Sequence, residues 1–411
     1  MTMPTADVLR PGGIKGRITA WFLATVVPPG LRLLRRLPRN IRMGKLAVVT
    51  RYDEVREVYL NDADFGVPYK EKLDVITGGQ PFFLGMDDTP DYRRDTSAMR
   101  KVVLRDDIPS RLAPNTLTIG EDYVKQAGGR IEVVDYVRRL TFKLYQDYFG
   151  IPDPPGGTLP VWATRLFEFQ FADGGNDKAL RAEVDDIGPK LRAHIDGLIA
   201  QQKSAGQPSD DVLGRCVVMA GKNEPGFSDL QIRTALMGFI VGGPPQPPMV
   251  VPQALEQLLR RPDALAGACE AARASDDKLL AAYVFEAMRF DPLAPFMPRV
   301  ARNDAVIAEG TGREIQIPKG TSVMVAFSSA MMDERRLRAP KTFDPGRLPN
   351  EYIHFGYGLH QCFGIYMNQA LLPLMLKPLL KRRNLRRAPG AEGKLRKNGV
   401  FAERLWVEYD V

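Results

Sequence analysis

Apolar positions recur at helical spacing through most of the middle of the chain. The pattern predicts helices over residues 117–126, 134–150, 161–171, 180–203, 210–220, 228–241, 249–260 and 276–290, with Arg261-Pro262 marking one clear helix end. Upstream, the run Leu46-Ala47-Val48-Val49 reads as a strand feeding a helix over 54–60, whose apolar face is Val55, Val58 and Tyr59. Glycine and proline then gather over 75–90, which predicts a long irregular loop carrying Phe82 and Phe83; helical text resumes over 92–104. A loop of that kind in a compact enzyme is often a binding loop. Past Asp291 come short strand-like pieces, 306–308, 314–317 and 322–326, then a glycine-rich run at 355–364 and a last apolar helix over 365–381. The expected fold class is mostly α with a smaller β-rich portion (α+β), in a single large domain over 45–411. Residues 1–44 read as a basic, leucine-rich N-terminal extension.

Composition narrows the class. With 44% hydrophobic and 26% charged residues the chain is globular, and 57 Lys+Arg against 49 Asp+Glu gives a net charge of +8. The cations are dispersed and no nucleic-acid module is recognisable, so no nucleic-acid partner is expected. Cys216, Cys269 and Cys362 are too few and too far apart for a disulfide framework or a paired zinc site, which points to a reducing, cytoplasmic setting. The apolar run 18–27 falls short of the roughly 20 residues a spanning helix needs and ends at Pro28-Pro29, so no transmembrane segment is expected. Leucines and arginines over 18–44 suit a weak contact with a membrane surface, although a helix packed on the protein's own surface is the simpler expectation.

Chemistry concentrates in His354-Phe355-Gly356-Tyr357-Gly358-Leu359-His360-Gln361-Cys362-Phe363-Gly364, where Phe355, Gly358, Cys362 and Gly364 stand as F-x-x-G-x-x-x-C-x-G immediately before an apolar helix. Glycines let a loop curl around a sulfur and aim backbone N–H groups at it. A cysteine at a helix mouth has its thiolate favoured by the helix dipole, and an anionic sulfur held this way suits a soft-to-borderline metal. The plain alternative is a buried free cysteine in a turn.

These residues resemble the thiolate loop of the cytochrome P450 family, and the resemblance runs from about Leu46 to the C-terminus. It implies a P450-like fold, haem b (iron protoporphyrin IX) as cofactor and Cys362 as axial ligand of the haem iron, with Phe355, Gly358, His360 and Gly364 around it. The family's E-x-x-R element is matched by Glu286 and Arg289, which a spacing of three puts on one helix face. Phe343-Asp344-Pro345-Gly346-Arg347 looks like the family segment that completes this network, with Arg347 as its cation. For the haem propionates the resemblance supplies Arg299 and His360. The usual third cation belongs to a P-x-H-x-x-x-R pattern, but here Tyr92 and Thr96 hold the His and Arg places; Arg94 or Arg100 would substitute, and Arg100 is the expected one.

The departure with most consequence lies in Phe239-Ile240-Val241-Gly242-Gly243-Pro244-Pro245-Gln246-Pro247-Pro248. Family members usually carry an acid–alcohol pair there, on the helix crossing the distal haem face, to deliver protons during O–O cleavage. With Gly242 and Gly243 in the first two places, Pro245 takes the acid place and Gln246 the alcohol place. The prolines should also open or kink the helix, since an interior proline costs about 3 kcal/mol. Gly243 and Gln246 are therefore the candidate catalytic positions. The first functional expectation is a P450 monooxygenase acting on an apolar small molecule with O2 and electrons from an acidic ferredoxin, docked at the basic cluster Lys377–Arg387. The alternative is a reductase-independent peroxygenase or fatty-acid hydroperoxide isomerase or lyase; a further one is a non-catalytic haem-binding protein. Phe82, Phe83, Phe167–Phe171, Ile240, Val241 and Leu293–Phe296 are where the family analogy places pocket walls.

Overall fold

The computed structural model describes residues 8–11 and 13–411. They fall into two compact units, one from Met1–Pro11, Tyr69–Gln126 and Val133–Pro248, the other from Gly12–Pro68, Ala127–Glu132 and Met249–Val411.

The first unit is helical. Ala113–Gln126, Val133–Phe149, Leu159–Phe167, Lys178–Ser204, Val212–Gly221 and Asp229–Gly242 form within a few residues of the spans their apolar spacing predicts. Their starts are set by polar caps: Asp177 accepts from the N–H groups of Ala179 and Leu180, Asp211 from Gly214, and Ser228 with Gln231 makes a capping box. The loop expected over 75–90 is shorter than predicted, because Lys70–Thr77 is a helix that ends at Gly78 in the left-handed region, φ 75°. Thr89 caps the next helix, Pro90–Arg100, with Pro90 in its first turn. Phe82 and Phe83 are buried, and Phe82 is seated where a Cβ on Gly238 would lie 2.2 Å from its ring. Glycine at 238 is what lets that ring approach the helix.

The second unit holds the sheets. Its five-stranded sheet runs in the order Ile41–Met43, Leu46–Val49, Ser322–Val325, Met297–Ala301, Phe65–Gly66. Leu46–Val49 pairs parallel with Ser322–Val325, and Ala47, Val49, Val323 and Val325 turn into one core with Val55, Val58 and Tyr59 of the helix Tyr52–Leu60. The hairpin Ile41–Met43/Leu46–Val49 turns at Gly44, so the expected boundary at 44/45 falls inside it. Ahead of it lie two helices, Ile14–Thr25 and Val27–Arg36. The helix Pro262–Ala274 escaped the sequence pattern because its inner face is Ala264, Ala268, Ala271 and Ala272, which carry helix propensity but little hydrophobic contrast. The helices Asp277–Phe290 and Ile365–Leu380 pack on each other and frame the cysteine loop.

Candidate functional site

Cys362 precedes the helix Ile365–Leu380, whose N-cap is Gly364. The loop is closed by the Cys362 N–H donating to the Phe355 carbonyl at 2.9 Å and the Gln361 N–H donating to Gly358 at 3.1 Å. Cys362 is half-buried, and its sulfur receives the Asn368 side-chain amide at 3.7 Å, one turn into the helix. Asn368 was not anticipated; its only signal is its place four residues after Gly364. Gly358, at φ 71°, sits where a Cβ would come within 2.5 Å of the Tyr59 carbonyl oxygen. That contact seats the loop on the helix Tyr52–Leu60, aided by the Tyr357 hydroxyl 3.2 Å from that of Tyr52.

A buried ionic network holds the other side. Glu286 and Arg289, 0% and 1% exposed, form a two-pronged pair with N···O distances of 2.6 and 2.8 Å. Arg347 adds its Nε at 3.3 Å, and Glu286 also accepts from the Asp344 N–H at 2.9 Å and the Tyr352 hydroxyl at 3.1 Å. Arg289 and Arg347 spend their remaining donors on the carbonyls of Met331, Pro340, Thr342, Arg338 and Ala339. The three residues singled out by motif are thus brought together, and Tyr352 is a fourth member. Burial and the adjacent Glu286 push its phenol pKa up. His354 stacks on Tyr352 with ring centroids 5.1 Å apart and bonds the Phe285 carbonyl at 2.9 Å, tying the cysteine loop to the Glu286 helix. Burial drives the His354 pKa down to about 4, so it is neutral at physiological pH.

Arg299 is 4% exposed on the strand Met297–Ala301; its guanidinium lies 4.7 Å over the Tyr59 ring and bonds the Pro298 carbonyl at 3.1 Å. Among the described residues no carboxylate pairs with it. His360, expected as a second cation, is neutral in this structure: burial, with Arg299 and Arg302 nearby, takes its pKa down to about 4. In the other unit Arg100 is exposed at the end of its helix, while Arg94 is committed to Asp91 and Asp95 at 2.7 and 2.8 Å. Thr96 instead turns a buried hydroxyl inward with no partner among the described residues. Within the basic cluster expected as a dock, Lys377 is buried on Asp277, Arg387 pairs with Glu256, and Arg386 with Glu408 and Asp410, while Lys381 and Arg383 are exposed.

The proline run breaks the helix as its chemistry requires. Asp229–Gly242 ends, Gly243 takes φ −103° and ψ −82°, and a new helix, Pro247–Leu259, begins with two prolines in the turn where missing N–H groups cost nothing. The backbone N–H of Gln246 donates to the Gly243 carbonyl at 3.2 Å, leaving the Gly242 carbonyl to the Gln246 side-chain amide. Gln246 therefore caps the first helix with its own side chain. The Tyr145 ring lies against Gly243, its hydroxyl buried and without a partner among the described residues. In the same unit a cavity of about 340 Å³ is bounded by Phe82, Phe83, Met99 and Ala235, and also by Arg94, Asp95, Gln231 and Thr234; of the expected pocket walls only Phe82 and Phe83 line it.

A family model described as cytochrome P450 matches residues 177–402. Over 121 residues the chain is 36% identical to a bifunctional dioxygenase (DOX)-epoxy alcohol synthase (EAS) of Pyricularia oryzae, a match covering 29% of this chain and 10% of that protein. The chain thus spans about a tenth of that relative's length. It is 23% identical over 362 residues to the mycinamicin IV hydroxylase/epoxidase of Micromonospora griseorubida, covering 82% of this chain and 81% of the other. Among solved structures, P450BioI in complex with hexadec-9Z-enoic acid ligated acyl carrier protein superposes with a TM-score of 0.79 at 20% identity, over 95% of this chain and 100% of that one.

Proposed function

Because the chain belongs to the cytochrome P450 family of haem-thiolate oxidoreductases, we propose that its oxygen donor is the hydroperoxide of an apolar, unsaturated lipid and that it needs no electron carrier. The observation behind this reading is that Gly242-Gly243-Pro244-Pro245-Gln246-Pro247-Pro248 contains neither carboxylate nor hydroxyl. Reduction of O2 needs protons delivered to oxygen, and that segment has nothing to deliver them with. A hydroperoxide brings both oxygens already reduced. Its rearrangement to an epoxy alcohol breaks O–O, places one oxygen across the double bond and keeps the other as a hydroxyl, with no change in composition. The name of the fungal relative points to the same class of product.

The residues of the cysteine loop fit haem b. The Cys362 sulfur stands at a glycine-lined helix mouth, and Arg299 is a buried cation without an acid partner among the described residues, as a propionate site requires. Bound through Cys362, haem b supplies the cleavage of the peroxide bond. Phe355, Gly358 and Gly364 shape the sulfur's surroundings, Asn368 donates to it, and His360 offers a neutral donor beside Arg299. Gln246 gives one amide hydrogen to Gly242, which leaves the second to donate to a peroxide oxygen and its carbonyl to accept a hydrogen bond from a peroxide O–H.

The likeness to a hydroxylase/epoxidase across 82% of the chain favours a second reading, monooxygenation with O2 and ferredoxin electrons. The two are separated by mixing the haem-loaded ferric protein with a polyunsaturated fatty-acid hydroperoxide, labelled in both peroxide oxygens, without NAD(P)H or ferredoxin. The expected result is fast consumption to a product retaining both labels, lost in Cys362→Ala. No consumption, with product formed only when ferredoxin, reductase and O2 are added, overturns the proposal in favour of the second reading.

A further inference from the structure

The helix Ile14–Thr25 buries none of its residues, yet it is apolar on two opposite faces. Gly16, Ala20 and Leu23 are its half-buried positions, on one stripe. Gly16 is where the helix meets the hairpin of Arg396–Asn398 and Phe401–Arg404: a Cβ there would lie 2.5 Å from the Asn398 side-chain oxygen, and the Gly399 N–H donates to the Gly16 carbonyl at 3.3 Å. The opposite stripe is Ile14, Ile18, Trp21 and Phe22, which are 69, 58, 59 and 47% exposed. The small face docks the helix, and the large apolar face is left outward. A large apolar stripe on a helix is ordinarily covered. Scattered apolar side chains on a surface are commonplace, but four large ones in register on one helix, one of them a tryptophan, are not.

The charge around this stripe selects what covers it. From Val8 to Tyr52 the sequence contains ten lysines and arginines and no aspartate or glutamate. Lys15, Arg17, Arg32 and Arg39 are exposed and form no ion pair among the described residues. Among the described residues Arg36 ion-pairs only with Glu334, at 3.9 Å, and Leu33 stands 63% exposed between Arg32 and Arg36. A second copy of this chain would bring the same unbalanced cations to the contact and be repelled. An anionic bilayer offers acyl chains to the stripe and phosphates to its flanks, the arrangement of interfacial helices with a tryptophan at the boundary. No helix of the described residues is long and apolar enough to cross a membrane, so the contact is one of lying on the surface.

We propose that residues 14–39 form a docking face for anionic lipid surfaces, with Ile14, Ile18, Trp21 and Phe22 entering the headgroup boundary and Lys15, Arg17, Arg32 and Arg39 pairing with phosphates. The inference is independent of the oxygen donor, since it concerns where the protein works.

The test uses the full haem-loaded chain, sedimented with vesicles of phosphatidylcholine alone or with phosphatidylglycerol at low and high salt. Binding to the anionic vesicles is expected, weakened by salt, and reduced on the order of tenfold in both Trp21→Gln/Phe22→Gln and Arg17→Glu/Arg32→Glu. These four residues are exposed, and an unchanged thiolate-haem absorption spectrum confirms that each variant is folded. Failure of the intact chain to bind anionic vesicles overturns the proposal. So does a concentration-dependent dimer that Trp21→Gln/Phe22→Gln converts to monomer, which would give the stripe to a second copy.

Discussion

Two irregular segments in this molecule are both forced by glycine and proline, and they are held in opposite ways. The cysteine loop, 355–364, is fixed by independent anchors: the Glu286–Arg289–Arg347–Tyr352 network, the His354 bond to Phe285, and Gly358 pressed on the Tyr59 carbonyl. The break at 243–246 is held by backbone geometry and the amide of a single residue, Gln246. One segment is over-determined by buried charge; the other has one polar side chain that caps a helix and carries the proposed chemistry at once. A fold that secures its thiolate loop this firmly leaves the other segment more open to change.

The comparison breaks most visibly at its strongest point. Glu286→Leu strands two buried guanidinium groups and should cost about 3–5 kcal/mol, read as a lower urea midpoint; a loss below about 1 kcal/mol would mean the network is not what holds the loop. The next test is pH. The unfolded His354 takes up a proton near its ordinary pKa of 6.5, while the folded one does so only near 4, so its contribution is complete above 6.5 and fades as pH falls toward 4. The expected loss from His354 is about 3 kcal/mol, measured by urea titrations across that range; because His360 acts in the same direction, His354→Phe should reduce the pH-dependent loss by about that amount without abolishing it. Gly358→Ala, which meets both positive φ and a backbone oxygen, should cost about 2 kcal/mol with a shifted thiolate-haem spectrum. The smallest stability change belongs to the lightly held segment. Gln246→Leu removes one side-chain bond, about 1 kcal/mol, while turnover of a lipid hydroperoxide falls steeply or its products change. A large stability loss with unaltered products would make Gln246 a cap alone.

Legibility follows the same division. Cys362, Glu286, Arg289 and Arg347 could be read in advance because each lies in a short pattern whose spacing carries its geometry. Tyr352, His354 and Asn368 lie beside those patterns and became legible only when distant segments met: Tyr352 is 66 residues from its partner Glu286. The long helices were readable from apolar period; Pro262–Ala274 was not, because alanine supplies propensity without contrast. Arg100 was chosen for its charge and stands exposed, while Thr96 of the same helix carries a buried hydroxyl; only packing tells which face of a helix looks inward.

By itself the sequence determined the place of the sulfur, the ionic pair and the broken helix, all of which follow from local chemistry: a cysteine at a helix start, charges one turn apart, prolines without N–H groups; the family was legible through the resemblance of those motifs. Only the tertiary structure decided that Lys377, Arg386 and Arg387 of the basic cluster after the cysteine helix pair with acids, that Gln246 folds back on Gly242, and that the N-terminal helix docks by its small face and turns its large one outward. Those outcomes depend on which remote groups arrive within hydrogen-bonding or van der Waals reach, and no local pattern encodes that distance.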